Sequence, residues 1–238
     1  MNCVIFLFMV VRGVSAISPS VDHLLFFGAD NAENVLVFGE WWRIVTAIFV
    51  HVGIIHLACN MWCLWNLGLL AEPLMGSFGL IAVYILTGAA GNLLSTLFNW
   101  IWPIHEGSAI LFPTGAGASG AVFGIAGALI LLLKSKRLPI PEQELKRLRQ
   151  SVIAFAAVNL LIGFSISFGA GVFGSGLRID NWAHLGGFSC GLIFAAPMVP
   201  RIGSPRGVFQ TRLRIAVVIV VILLVLFGFY LAQLPPQP

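Results

Sequence analysis

Apolar residues form long runs along this chain, and short polar segments separate the runs. A helix needs about 20 consecutive apolar residues to cross a bilayer, and runs near that length recur from one end of the sequence to the other. The pattern predicts an all-α fold, a polytopic bundle of membrane helices. The predicted spans cover residues 3–16, 50–70, 78–102, 117–133, 152–168, 181–199 and 213–231.

Two segments depart from this pattern. The run 3–16 is short and contains Arg12, and its end resembles a signal-peptidase site. No cation precedes the apolar core, as a signal peptide would require, so we interpret the run as a short first span, with the signal peptide as the alternative. Residues 22–50 are only half apolar and are predicted to lie in or on the membrane interface. Trp42 and Arg43 suit the headgroup depth there, as structural anchors.

Composition supports a membrane protein. The chain is 59% hydrophobic and 9% charged, with a mean hydropathy of +0.99, whereas a soluble domain has about 25% charged residues. The formal charge of +4 comes from cations concentrated in two loops, 134–149 and 201–214. Such loops are typical of cytoplasmic segments beside anionic lipid. We therefore expect the lipid bilayer, and no nucleic acid, as a partner; the oligomeric state is not indicated.

The two basic loops also predict depth. If both are cytoplasmic, the fourth and sixth spans start at the outer side, and the cation-free connection 101–113 agrees with this direction. Ser119 and Asn181, at the starts of these spans, are then at the same depth.

The most distinctive motif is the glycine-rich loop that leads from Pro113 into Ser119 and an apolar helix. Amides of a first helical turn lack intrahelical partners and can bind an anion, so a hydroxyl there is suited to nucleophilic chemistry. Gly120, Gly124 and Gly127 fall at helical spacing and form a smooth face. The alternative is a helix entry beside a small-residue packing seam, because the chain has 26 glycines.

A candidate base lies in the sixth span. His184, Gly187 and Gly191 share one helical face, so a glycine-to-glycine contact with the fourth span would bring His184 toward Ser119. Histidine is the most frequent general base, because its pKa is near neutrality. A histidine bonded to a neighbouring carbonyl is the alternative.

His56 and Asn60 are stacked at i and i+4 in the second span. Such donors could stabilise an oxyanion, although interhelical hydrogen bonds are a simpler role. His51 lies about 140° around the same helix and is assigned to structure, and His23 and His105 to the surface.

No triad acid accompanies this histidine. Asp180, one turn before His184, is the nearest acidic residue, so a Ser–His pair would act as a dyad. Phe123, four residues after Ser119, could pack against the imidazole. A zinc site is disfavoured by the irregular histidine spacing, and we expect neither metal nor cofactor. The four cysteines are interpreted as small buried hydrophobic residues.

Four motifs together resemble the rhomboid family of intramembrane serine proteases. They occur in that family's order: Trp42-Arg43, His56-x-x-x-Asn60, Gly117-x-Ser119-Gly120 and Ala183-His184-x-x-Gly187-x-x-x-Gly191. The resemblance covers nearly the whole chain. It implies a six-span core over residues 1–200, followed by a basic loop and an additional C-terminal span over 201–238.

The resemblance also implies roles for individual residues. Ser119 would be the nucleophile, and His184 the base and then the acid. His56, Asn60 and the Ser119 amide would form the oxyanion hole, and Gly117 would line the path of the substrate strand. The supporting residues would be Phe123, Gly120, Gly187, Gly191, Trp42, Arg43 and Glu72, the last of which would brace a helix end.

The resemblance also implies a function and a cellular location for this chain. The resemblance implies an endopeptidase that cuts single-span membrane proteins in or near the span, with a catalytically inactive client-binding rhomboid-like protein as the alternative. We expect a multi-pass protein of a bacterial plasma membrane, because no transit peptide is recognisable, with its active site open to the non-cytoplasmic side.

Overall fold

The computed structural model describes residues 1–135, 138–168, 180–199 and 205–235. Its helices are α1 (Asn2–Val11), α2 (Val21–Phe26), α3 (Ala32–Leu36), α4 (Arg43–Thr46), α5 (Ile54–Ile101), α6 (Ser119–Leu132), α7 (Glu142–Phe168), α8 (Asn181–Ala195) and α9 (Arg206–Leu231). Its strands are β1 (Asp30–Asn31), β2 (Ile104–Glu106), β3 (Ala109–Leu111) and β4 (Thr114–Gly115). The basic-loop residue Arg201 falls outside the described residues.

The second and third predicted spans are the two halves of α5. This 48-residue helix has one non-helical residue, Gly76, with φ 75° and ψ 165°. Glycine adopts a positive φ without the Cβ penalty of other residues, which explains the break at this position. Across it, Ser77 Oγ donates to Glu72 Oε1 over 2.5 Å, so the carboxylate links the end of one half to the start of the other.

Several helix boundaries differ from the prediction. α7 begins at Glu142 rather than near residue 152, and α9 begins at Arg206 rather than near residue 213. Hydropathy marks the part of a helix that is apolar enough for lipid, whereas charged residues with good helix propensity extend the helix beyond it. Glu142 and Glu144 in the first turn of α7 also favour that early start.

Two helices in the described ranges are long and apolar enough to cross a membrane, α5 and α9, and α1 and α6 are shorter apolar helices. Large apolar side chains are exposed on the outer surface of α5, among them Trp62 and Trp65. The count of six spans plus a seventh stays a prediction.

Two short antiparallel strand pairs depart from the all-α prediction. β2 and β3 form a hairpin within the connection 101–113, and β1 pairs with β4 so that Asp30 lies opposite Gly115 and Asn31 opposite Thr114. The second pair joins the interfacial segment to the loop before Ser119. Hydropathy does not reveal it, because the two strands are only two residues each and far apart in sequence.

α6 is the central helix of the bundle. Its side chains at Ile125 and Leu129 are fully buried, and it contacts α5 on one side and α8 on another. The site described below lies at its N-terminus.

Candidate active site

The backbone before Ser119 is held in a conformation that suits glycine. Gly117 has φ 134°, and its N–H donates to the Ala47 carbonyl oxygen over 2.9 Å. A Cβ added to Gly117 would lie 2.6 Å from Cε1 of His56. The loop therefore passes directly against the His56 ring, and it ends where Ser119 begins α6 with first-turn amides that have no intrahelical partner.

α6 and α8 pack backbone to backbone along their glycines. A Cβ on Gly187 would collide with the Gly120 carbonyl oxygen, and one on Gly191 would collide with that of Gly124. Because both residue numbers increase together, the two helices run parallel, and their N-termini lie at the same end. This is the contact that the glycine spacing predicted.

The contact places Ser119 and His184 side by side. The Ser119 Oγ and His184 Nε2 atoms lie 2.8 Å apart, which is hydrogen-bonding distance. The Phe123 ring stacks on the imidazole, with centroids 4.3 Å apart and an interplanar angle of 14°. The serine and histidine are therefore poised for proton transfer, and a phenyl face fixes the plane of the ring.

In the part of the chain that the structure describes, no carboxylate is hydrogen-bonded to this imidazole. Within the described ranges, His184 Nδ1 is buried without a hydrogen-bond partner. The Asp180 carboxylate accepts instead from the Ala183 amide over 2.9 Å and from the Ser95 hydroxyl. Asp180 thus caps α8, and the arrangement is a Ser–His pair without a third member from this residue.

His56 and Asn60 flank the loop from α5. His56 Nδ1 accepts from the Val52 amide over 3.4 Å. In the neutral ring Nε2 then carries the proton, and this atom would lie 3.0 Å from a Cβ on Gly117. One N–H of Asn60 donates to the His56 carbonyl oxygen over 2.9 Å, and its amide has a second N–H to donate.

His51 does not lie on the same helix as His56, contrary to the prediction, because α5 begins at Ile54 and His51 precedes it. Its ring is fully buried, and its centroid lies 5.4 Å from that of His56. The sequence could not show this contact, since it depends on how the chain enters α5. His23 and His105 are exposed.

Trp42 and Arg43 organise the interfacial segment. The Arg43 guanidinium donates to the carbonyl oxygens of Leu25 and Ala29 and pairs with Glu40 over 2.6 Å. It also lies over the Trp42 ring, 4.6 Å from the centroid. Hydrogen bonds from Arg43 and Asn34 hold the pKa of Glu40 below its usual value. These contacts are structural and tie α2, α3 and α4 together.

The cysteines differ from their predicted burial. Cys190 is buried, Cys63 is partly buried, and Cys3 and Cys59 are exposed on the outer faces of apolar helices. Lipid-facing positions are as apolar as core positions, so hydropathy does not separate the two. No group of three or more His, Cys, Asp or Glu side chains able to hold a metal ion occurs among the described residues.

Comparison with known proteins defines the class. A model of the rhomboid domain matches residues 38–201. The chain is 35% identical over 205 residues to the rhomboid protease GluP of Bacillus subtilis (strain 168), which covers 85% of this chain and 34% of that protein. It is 29% identical over 209 residues to the rhomboid protease AarA of Providencia stuartii, covering 82% and 68%. It is 30% identical over 210 residues to RHOMBOID-like protein 1 of Arabidopsis thaliana, covering 85% and 48%.

These similarities define an integral membrane protein of an intramembrane serine protease family. The chain belongs to the rhomboid family. It spans about a third of the length of the Bacillus protein and about two thirds of the Providencia protein.

Proposed function

We propose that this chain is an intramembrane serine endopeptidase that cleaves single-span membrane proteins in or near their transmembrane segment. The observation that carries the proposal is the 2.8 Å separation between Ser119 Oγ and His184 Nε2. As the hydroxyl attacks the scissile carbonyl carbon, Nε2 accepts the hydroxyl proton. It then donates that proton to the leaving amine nitrogen as the peptide C–N bond breaks. Water hydrolyses the acyl-enzyme by the same sequence.

Attack creates a negative charge on the former carbonyl oxygen. We assign its stabilisation to the Ser119 amide at the start of α6, to the His56 Nε2–H and to the free N–H of Asn60. Preorganised donors of this kind contribute several kilocalories per mole in acyl transfer, because they cost no reorganisation during the reaction. Gly117 supports the assignment, since the absence of a side chain there leaves the loop in contact with the His56 ring.

The length of α6 supports a site below the lipid surface. Its 14 residues span about 21 Å at about 1.5 Å per residue, less than the roughly 30 Å of the hydrocarbon core. With its C-terminus at the basic loop on the cytoplasmic side, Ser119 lies roughly 9 Å inside the opposite surface. The site then opens to the non-cytoplasmic side of what we propose is a bacterial plasma membrane.

The remaining assignments belong to the same proposal. Residues 1–200 form the six-span core, and 201–238 add a basic loop and one further span, which includes α9. Phe123, Gly120, Gly187 and Gly191 hold the serine and histidine in place, and Trp42, Arg43 and Glu72 brace the surrounding elements. Neither metal nor cofactor takes part in the proposed reaction.

A direct test uses the full chain in detergent and in proteoliposomes. A fluorophosphonate probe should modify Ser119, as located by peptide mass spectrometry, and a single-span model substrate should be cut. Substrate cleavage should fall in proportion to the fraction of Ser119 that is labelled, because the same hydroxyl serves both reactions. Modification at another residue, or binding of the substrate span without a product, would instead support the inactive client-binding protein.

Replacing Asn60 by alanine is expected to slow substrate cleavage roughly tenfold to a thousandfold, because one oxyanion donor is lost. Asn66→Ala is the matched control. Asn66 makes the same bond to a carbonyl oxygen four residues earlier, that of Trp62, but it is exposed on the outer face of α5. Steady-state cleavage rates of the two variants decide the point, and equal rates would remove Asn60 from the site.

A further inference from the structure

Two carboxyl groups that the proposed reaction does not use lie beside the active-site loop. Asp30 belongs to β1 and is buried, with 2% of its surface exposed. Asp180 is the partly buried N-cap of α8. They are 150 positions apart in the sequence, and no motif connects them.

Asp30 is tied to the loop that carries the nucleophile. Its backbone lies opposite Gly115 in the β1–β4 pair, four residues before Ser119. Its side chain accepts from the Thr96 hydroxyl over 3.1 Å at Oδ2. A movement of Asp30 would therefore displace the start of the loop and change its contact with α5.

Asp180 is tied to the helix that carries the base. Its carboxylate accepts from the Ala183 amide, one residue before His184, and from the Ser95 hydroxyl. Asn99 donates to that hydroxyl over 3.0 Å. Ser95 and Thr96 are neighbours in α5, so one turn of α5 holds both carboxyl groups.

Gly115 shows how close the two groups are. A Cβ on this glycine would lie 3.4 Å from Asp180 Oδ2 and 3.9 Å from Asp30 Oδ2. Both carboxyl groups thus pack against the same small residue of the loop. Two negative charges this close to one small residue, one of them on the buried Asp30, repel each other.

The protonation of the pair follows from its surroundings. The pKa of Asp30 is raised to about 7: burial is the largest cause and the charge of Asp180 adds to it, while the Thr96 hydrogen bond and the Arg43 guanidinium oppose it. Burial also raises the pKa of Asp180, opposed by the Ser95 hydroxyl and the α8 amides. Among the described residues, the Arg43 guanidinium is the cation that acts on Asp30. The residues of α5 that face the two carboxyl groups, Ser95, Thr96 and Asn99, are neutral. On α8 the His184 ring is directed to Ser119.

We propose that Asp30 and Asp180 are positioning residues, and that one proton held by this pair, on the buried Asp30, keeps the loop before Ser119 packed against the first turn of α8. Release of that proton to solvent leaves two like charges on either side of Gly115. The resulting repulsion separates the segment that carries Ser119 from the segment that carries His184. This inference rests on the proposed function only for its catalytic readout.

The sign of the pH effect follows from linkage. Between about pH 4 and pH 7 the native Asp30 holds a proton that the unfolded chain has released, so folding loses stability as pH rises through this window. The contribution of Asp30 to the free energy of unfolding is fully present below its pKa in the unfolded chain and is lost above its pKa in the folded protein. A histidine base acts in the opposite direction, because it gains activity as it becomes neutral.

The test compares wild type with Asp30→Asn and Asp180→Asn, with labelling measured from about pH 5.5 to pH 9 and thermal unfolding from about pH 4 to pH 9. Asparagine resembles the protonated carboxyl group and can still cap α8. Wild-type labelling by fluorophosphonate should fall on the alkaline side, with a midpoint near pH 7, by about tenfold per pH unit beyond it. The thermal unfolding temperature should fall over the pH 4 to pH 7 window. Either substitution should remove the alkaline loss of labelling, because a single remaining charge has no partner to repel. Each should lessen the loss of stability without abolishing it, because burial still raises the pKa of the carboxyl group that remains.

Glu33→Gln, an exposed acid of the same interfacial segment, is the matched control and should keep the wild-type profiles. The proposal is overturned if the loss of labelling at alkaline pH persists in both asparagine variants, or if wild type does not show it. The unfolding profile needs no catalysis. If the unfolding temperature falls between about pH 4 and pH 7 but Ser119 is not labelled, the proposed function is refuted and the proton on the Asp30–Asp180 pair is still supported. If the unfolding temperature does not change with pH, only the proton on the pair is refuted. If Asp30→Asn does not fold, Asp180→Asn decides the outcome.

Discussion

Replacing His184 by alanine is expected to lower substrate cleavage by about 10⁴-fold or more, and Ser119→Ala by a similar factor. Members of a nucleophile–base unit act together, so losing either removes nearly all of the covalent route. The physical reason is the single 2.8 Å contact between Ser119 Oγ and His184 Nε2, through which the hydroxyl proton must leave. Cleavage of a single-span substrate in proteoliposomes and fluorophosphonate labelling in detergent measure the two losses.

His105→Ala provides the matched control for the histidine, since His105 is exposed on β2, where it lies opposite Ile110 of β3. It should cleave and label as wild type does. Labelling of His184→Ala at the native rate would show that another group activates the serine, and the dyad assignment would then fail even if cleavage were slow. The double variant should be no slower than either single one, because the two residues serve one step.

Replacing Gly191 by alanine is the second large effect that we expect. An added methyl group would collide with the Gly124 carbonyl oxygen, and a backbone atom cannot move aside as a flexible side chain can. α8 must therefore shift away from α6. Overpacking of this kind costs roughly 1–3 kcal/mol, and a displacement of about 1 Å at the reacting atoms can cost about 100-fold in rate. Thermal unfolding and the rate of labelling should both fall.

Gly207→Ala on α9 is the control, because nothing lies within 4 Å of a Cβ at that position. Alanine favours helix over glycine by up to about 1 kcal/mol, so this variant should be as stable as wild type or more stable. If Gly191→Ala matched Gly207→Ala in both measurements, the backbone contact between α6 and α8 would not be what holds Ser119 against His184.

Much of the site could be predicted from residue types and their spacing. Gly187 and Gly191 share a helical face with His184, and this periodicity was enough to predict the contact with α6. The basic loops predicted that the fourth and sixth spans start on one side, and the N-termini of α6 and α8 do lie at the same end of the bundle; their depth in the membrane stays a prediction. The stacking of Phe123 on the imidazole also agrees with its i+4 spacing from Ser119.

Other features could not be predicted, for physical reasons. His51 was placed on a helix that in fact begins three residues later, because hydropathy does not report where backbone hydrogen bonding starts. The β1–β4 pair joins two-residue strands across a separation that no local pattern can reveal. The early starts of α7 and α9 lie in charged sequence, where helix propensity rather than hydropathy sets the boundary.

The sequence by itself determined that this chain is a helical membrane protein of the rhomboid family, because lipid demands apolar helices and the glycine, serine and histidine positions follow local periodicity. Only the tertiary structure decided which groups touch: Ser119 with His184, His56 with the Gly117 loop, and Asp30 and Asp180 on either side of Gly115. Contacts between distant segments depend on how whole helices and loops pack. That packing is a property of the complete fold, and no single stretch of residues encodes it.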